Sequence, residues 1–284
     1  MTTGKRVAPF VLVILALLLY ACQSSFTDVP ERTPVQFNSE QISNTPYVSV
    51  HVSDIIDTGY MKLVNRTHAV PGEPNAALLQ PAWPTVPVSR VDIYLHRSAL
   101  AAIEAMFASA RAAGVGPFHV TSGFRDVERQ RALYGNGANS AFVQPPGYSE
   151  HHTGLAADIM ADGLSMSELA DSPQGQWLAA NAYRYGLILR YPNGAQAITG
   201  IEFEPWHFRY VGPVHAYFMR RNNLVLEEYI ELLQQEGGVS FVMNSVAVQL
   251  LYLRPENGII YVPAGLDHIT VSSSNAGGYI VKAW

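Results

Sequence analysis

Two short stretches of this chain carry residues that could do chemistry together. One is Tyr148-Ser149-Glu150-His151-His152-Thr153-Gly154-Leu155-Ala156-Ala157-Asp158, and the other, some way downstream, is Glu204-Pro205-Trp206-His207. Two histidines and an aspartate (His151, Asp158 and His207) suit a divalent zinc ion, and a catalytic site with three protein ligands keeps a fourth position open for water. Such an ion lowers the pKa of bound water and polarises a scissile carbonyl. Glu204, three residues before His207, is left free to take and return the proton. Of the other histidines, His51, His68, His96, His119 and His215 have no motif around them. His268 has Asp267 beside it but no partner motif, so it reads as a surface residue.

The elements that must position these residues can be read from local pattern. Leu100, Ile103, Met106, Phe107 and Ala110 recur at helical spacing, and Gly114 is placed to end that helix. Phe118 to Ser122 reads as a buried strand, and Asp126 caps a second helix running to about Tyr134. Arg125 then stands at a strand-to-helix corner, from which it can reach a cleft or pair with Asp126 or Glu128. Gly135 to Gly147 is a loop rich in Gly, Asn and Pro that delivers the first block, and Gly154 lets the backbone turn between His151 and Asp158. Pro173 to Tyr185 is amphipathic, Leu187 to Tyr191 reads as a strand, and Glu204 to Tyr210 is aromatic and extended. Two helices follow, over Val214 to Arg221 and Leu224 to Gln235. Upstream, Val48, Val50 and Val52 alternate as in a strand, and Pro81, Pro84 and Pro87 mark a run lying on the surface.

With 284 residues and 48% hydrophobic content, the chain can bury a full core. Only 14% of residues are charged, which points to a loop-rich globular fold rather than a coiled coil. Lys5 and Arg6, the apolar run Phe10 to Ala21 and the single cysteine Cys22 read as an export signal over 1–22. The apolar run is short for a permanent span, and a signal anchor is the alternative. Removing the signal leaves 16 basic against 23 acidic residues, which argues against nucleic-acid binding. Residues 23–46 read as a polar tether and 47–236 as the catalytic domain. Beyond Gly237-Gly238, the short apolar runs of 237–284 suggest a small β-rich appendage.

Ser149-x-His151-x-x-Gly154-x-Ala156-x-Asp158 followed by Glu204-x-x-His207 resembles the paired signature of VanY-type D-alanyl-D-alanine carboxypeptidases. These belong to a zinc peptidase superfamily that includes lysostaphin-type endopeptidases and the zinc domain of hedgehog proteins. Thr121-Ser122-Gly123-Phe124-Arg125 with Gln130 is a third matching block, and the likeness runs from about Lys62 to about Tyr229. The resemblance implies an α+β fold: a small antiparallel sheet with surrounding helices, and zinc at the sheet edge held by His151, Asp158 and His207.

It also implies Glu204 as catalytic base and acid, Arg125 as the catalytic arginine, and Ser149, Gln130 and Trp206 at the substrate. On the residues alone, Glu204 could hold a loop, Ser149 a turn, Gln130 a helix surface and Trp206 the core. His152, where the family commonly has Gln, reads as a supporting or rim residue. Leu19-Tyr20-Ala21-Cys22-Gln23 resembles a bacterial lipobox, with Cys22 as the lipid acceptor. The expected protein is a monomeric, membrane-anchored lipoprotein facing the cell wall that trims the terminal D-Ala from peptidoglycan stem peptides. A D,D-dipeptidase, a cross-link endopeptidase and a non-catalytic zinc-containing wall-binding module are the alternatives.

Overall fold

The computed structural model describes residues 33–34, 46–136 and 141–284. The predicted signal, Cys22 and most of the tether lie outside the described residues. Four strands come first: β1 (Thr33–Pro34), β2 (Tyr47–His51), β3 (Leu79–Pro81) and β4 (Tyr94–His96). They lead into α1 (Arg97–Ala112), β5 (Phe118–Ser122), α2 (Val127–Gly135) and β6 (Ala156–Ala161). The middle of the chain holds α3 (Met166–Leu169), α4 (Pro173–Asn181), β7 (Leu187–Leu189), α5 (Gln196–Thr199) and β8 (His207–Tyr210). Last come α6 (Pro213–Asn222), α7 (Leu226–Glu236), β9 (Gly238–Met243), β10 (Val246–Leu253), β11 (Ile259–Pro263), β12 (Thr270–Ser273) and β13 (Tyr279–Ala283). The fold class is as predicted: helices around small antiparallel sheets, with a β-rich C-terminal region.

Helix α1 buries the five apolar residues its spacing singled out. The His96 ring accepts the Ser98 N–H at its start, and Gly114 sits at φ +72 just past its end. Each of the large side chains it buries contributes about 1.5–3 kcal/mol relative to exposure. They pack beneath an antiparallel sheet of order β5-β6-β8-β7, with Phe118, Val120, Ile159, Leu187 and Phe208 completing this core. Register then places the chemistry: Asp158 lies opposite His207 across β6 and β8, and Ser122 opposite Asp158 across β5 and β6. Asp158 and His207 therefore stand on the two central strands, not at the sheet edge as the resemblance implied, and His151 comes from the turn just before β6. An edge strand would offer a ligand only one ordered neighbour; the central pair fixes both at once.

A second core lies where α6 and α7 meet the C-terminal sheet, of order β1-β9-β10-β13-β12. Phe241 stacks on Tyr217 at 6.2 Å and packs on Phe218 at 5.2 Å. Strand β2 pairs with β11, from Tyr47↔Pro263 to His51↔Ile259, so the start of the region read as catalytic is bonded to the β-rich end of the chain. Thr33–Pro34, inside the predicted tether, pairs with β9.

The first functional block is a single 3-10 turn, Glu150–Thr153, whose N–H of His151 is accepted by the Ser149 hydroxyl at 3.3 Å. Gly154 ends it at φ +70, where a Cβ would lie 2.6 Å from Leu79 Cδ2 and 3.2 Å from the backbone nitrogen of His96. Replacing Gly154 by Ala therefore both strains the backbone and forces β4 away. The expected cost is about 1–3 kcal/mol, read by urea denaturation, with a parallel loss of cation affinity. A variant as stable as the parent would show that the turn does not need its left-handed residue.

Candidate metal centre

His151 enters from the 3-10 turn, Asp158 from β6 and His207 from the first position of β8. One donor atom from each lies within 4.8 Å of the others. His151 Nδ1 is 2.7 Å from the Gly123 carbonyl, so Nδ1–H donates there and Nε2 turns bare toward Asp158 Oδ2 at 3.4 Å. His207 is held the other way round: Nε2 faces Glu150 Oε2 at 3.4 Å, and Nδ1 lies 3.1 Å from Asp158 Oδ1. The two rings meet edge to face at 5.0 Å. Each histidine thus has one nitrogen occupied by a protein acceptor and the other aimed inward, as in centres that bind a divalent ion. This donor set fits zinc by its chemistry, two imidazoles and a carboxylate.

Glu204 stands in the turn before β8. Its Oε2 is 3.5 Å from His207 Nδ1, and its backbone N–H donates to the Tyr191 carbonyl at 3.1 Å. Burial pushes its carboxyl up to about 8. Arg125 occupies the expected corner between β5 and α2. Its guanidinium donates to Gln130 Oε1 at 2.7 Å and to the Ser122 hydroxyl at 3.1 Å, and lies 4.0 Å from Asp158 Oδ2.

Gln130 is completely buried, with its amide spent on Arg125 and on the Gln144 carbonyl at 2.6 Å; it meets the site through Arg125. The Ser149 side chain is likewise buried and caps the turn. Trp206 is half-buried against the core, with its ring 6.4 Å from that of Phe142. His152 points away from the donor set. Its Nδ1–H donates to the Arg125 carbonyl at 2.6 Å and its Nε2 accepts the Gly147 N–H at 3.0 Å, leaving no nitrogen for a metal.

Several charged residues that the sequence reading passed over anchor this site. Glu150 is sealed from solvent and accepts from Arg190 Nε and Arg209 Nη1, each at 2.8 Å, as well as facing His207. Both arginines are completely buried. Arg190 also forks onto Glu227 of α7 at 2.8 and 2.6 Å, and Glu227 accepts from Asn65 at 3.1 Å. Arg209 donates to the carbonyls of Tyr60 and Lys62, both at 3.0 Å. Burial alone would raise the Glu150 carboxyl, but the two guanidiniums reverse this and hold it well below the usual carboxylate range. Glu150 lay inside the motif and was legible as an acidic neighbour of His151; nothing in the sequence marked its distant partners. Tyr191 also belongs here. Its ring packs on His207 at 4.9 Å, and burial followed by the fields of Glu150 and Glu204 keeps its phenol protonated. A separate cavity of about 430 Å³, lined by Tyr183, Ile188, Ile198, Met219 and Leu224 among others, contains none of the site residues.

A donor triad built from the two central strands of an antiparallel sheet and the turn before them, with a carboxylate and a guanidinium turned toward it, defines the class as a metallopeptidase fold. Residues 92–213 match the family described as VanY, D-alanyl-D-alanine carboxypeptidase. Among curated relatives, a D-alanyl-D-alanine carboxypeptidase of Enterococcus faecium is 37% identical over 194 residues, covering 68% of this chain and 62% of that protein. A bifunctional D-Ala-D-Ala dipeptidase and carboxypeptidase, VanXYC of Enterococcus gallinarum, is 34% identical over 190 residues, covering 62% of this chain and 95% of its own length. The chain belongs to this D-alanyl-D-alanine carboxypeptidase family.

Its fold is also that of the vancomycin-resistance D,D-dipeptidase VanXYg, solved with a D-Ala-D-Ala phosphinate analogue. The TM-score is 0.72 at 24% identity, over 84% of this chain and 99% of that one. A vancomycin-resistance D,D-pentapeptidase VanY variant from a VanB-type cassette, solved with Zn(II), superposes with a TM-score of 0.50 at 32% identity, over 60% of this chain and 98% of that one.

Two outcomes follow from the geometry. Glu150→Ala leaves two buried guanidiniums facing an imidazole with no anion between them, and is expected to cost about 3–5 kcal/mol in chemical denaturation. A loss below 1 kcal/mol would mean water replaces the carboxylate freely.

The second concerns protons. Burial opposes charge on His207, but the hydrogen bonds to Asp158 and Glu150 outweigh it and raise the ring to about 9, while burial and Arg125 push His151 down to about 4. Below pH 9 an entering cation must therefore displace the His207 proton, whereas His151 is already neutral. Calorimetry at pH 7 in buffers of different ionisation enthalpy should show release of about one proton. Apparent affinity should climb with pH and flatten near 9. Binding with no proton release would contradict this.

Proposed function

We propose that this chain is a zinc-dependent D-alanyl-D-alanine carboxypeptidase that removes the terminal D-Ala from peptidoglycan stem pentapeptides. The observation that carries the reading is the convergence of His151, Asp158 and His207 beside a buried Glu204, in a chain that belongs to this family. His151 Nε2, the Asp158 carboxylate and His207 Nδ1 would hold the ion, which when bound supplies Lewis acidity and a more acidic water. Glu204 would take the proton of the attacking water and return it to the departing amine; burial raises its carboxyl, and a cation bound beside it would draw it back toward the ionised form a base needs. Arg125, held in one orientation by Gln130 and Ser122, offers its remaining donors to the oxygen that gains charge as the amide is attacked. Trp206, next to His207 in the chain, would wall the cleft, with the Phe142 ring 6.4 Å from its own.

The bifunctional relative from Enterococcus gallinarum supports a second reading in which free D-Ala-D-Ala is also cleaved. The protein acts in the cell envelope, exported by its N-terminal signal and held to the membrane by lipid on Cys22. No described helix is long and apolar enough to cross a membrane.

The test is mass spectrometry of a free pentapeptide stem ending in D-Ala-D-Ala, with and without zinc and with Glu204→Ala. Loss of one alanine is expected only with zinc and Glu204, and the variant should lose about 10²–10⁴-fold in rate while keeping its metal. The dipeptide D-Ala-D-Ala, run alongside, separates the two readings. An unchanged pentapeptide from folded, zinc-loaded protein would overturn the carboxypeptidase.

A further inference from the structure

Tyr191 lies outside every motif block, yet three contacts tie it to the reacting centre. Its ring packs on His207. Its carbonyl accepts the N–H of Glu204. Its neighbour Arg190 is clamped between Glu150 and Glu227, and the Arg190 N–H donates to the His207 carbonyl at 3.1 Å. Tyr191 therefore cannot shift independently of either His207 or Glu204.

Only 4% of the residue is exposed. Its hydroxyl has no hydrogen-bond partner among the described residues, and it is not sealed from solvent either. A phenol buried to this degree ordinarily finds a partner. The nearby carboxyl groups are already engaged: Glu150 by two arginines and His207, Asp158 by the two histidines, and Glu204 by its approach to His207. What remains is a neutral donor on a ring that packs against His207, beside which the amide would be attacked.

We infer that the Tyr191 hydroxyl is a substrate-contacting catalytic group that donates its hydrogen bond to the oxygen of the scissile amide, most strongly once that oxygen carries negative charge. The inference rests on the hydrolase reading above. Tyr191 keeps its proton throughout; no bond to it forms or breaks. A neutral donor suits this position because three carboxylates already surround it, and an oxyanion there needs a dipole preorganised by packing. Arg125 approaches from the β5–α2 corner by Asp158, and Tyr191 from beyond β7 by His207, so the two donors come from different elements.

The test uses Tyr191→Phe in the full chain, loaded with zinc. It combines alanine-release kinetics on the pentapeptide with calorimetry of a phosphinate dipeptide that mimics the tetrahedral anion. Expected are a fall of about 10²-fold in kcat with KM little changed, and phosphinate binding weakened by about tenfold or more. Zinc content and thermal midpoint should match the parent. Equal phosphinate affinity in variant and parent overturns the role of Tyr191, whatever the turnover. Lost zinc or a lowered midpoint overturns it too, since the hydroxyl would then be structural. A parent that binds the phosphinate tightly but releases no alanine sinks the carboxypeptidase reading while the binding comparison still decides Tyr191. A parent that binds no phosphinate overturns both.

Discussion

Everything at the centre depends on one carboxylate in the wrong place for a carboxylate. Glu150 is removed from water, where a lone negative charge would cost several kcal/mol or more, and is kept ionised only because Arg190 and Arg209 approach it at 2.8 Å. Its other oxygen turns toward His207 Nε2 and decides which way that ring faces. The arginines reach onward to Glu227 on α7 and to the carbonyls of Tyr60 and Lys62. Such a network adds little net stability compared with an apolar core, but breaking it at one point is expensive. It acts as a rule of orientation, tying the end of β7, β8, α7 and the 60–62 segment to one buried carboxylate.

The two histidines show how the same side chain is tuned in opposite senses a few ångströms apart. His151 donates to a neutral carbonyl and sits near Arg125, so it stays neutral and ready to ligate. His207 is ringed by Asp158, Glu150 and Glu204, so without a cation it holds its own positive charge. The surplus of carboxylates is balanced by a proton when no cation is present, and the same surplus favours a divalent ion over that proton at neutral pH.

Much of this was legible in the sequence, and the parts that were not share a cause. Helix α1, strand β5 and the Asp126 cap follow from local pattern, since apolar spacing and a capping carboxylate act within a few residues. The donor residues and Glu204 were readable because metal chemistry limits which side chains can serve. Arg190, Arg209 and Glu227 were not. A charged residue gives no local sign that it will be buried, and the bonds to Glu150 span 40 and 59 positions. Tyr191 looked like the end of a strand because an aromatic at a strand end is ordinary. The placement of Asp158 and His207 on central strands depended on sheet order, which no short pattern encodes.

The pairing of β2 with β11 joins residues some two hundred positions apart, and β1 with β9 repeats the device. The front of the chain thus has no partner strand until the back has been made. Long-range closure of this kind slows folding, because the loop must be closed before its contacts form. Helix α7 packs on the same C-terminal sheet while its Glu227 holds Arg190 beneath the site, so the strands that close the chain also brace the donor set. Activity would accordingly appear as one late event rather than growing with chain length.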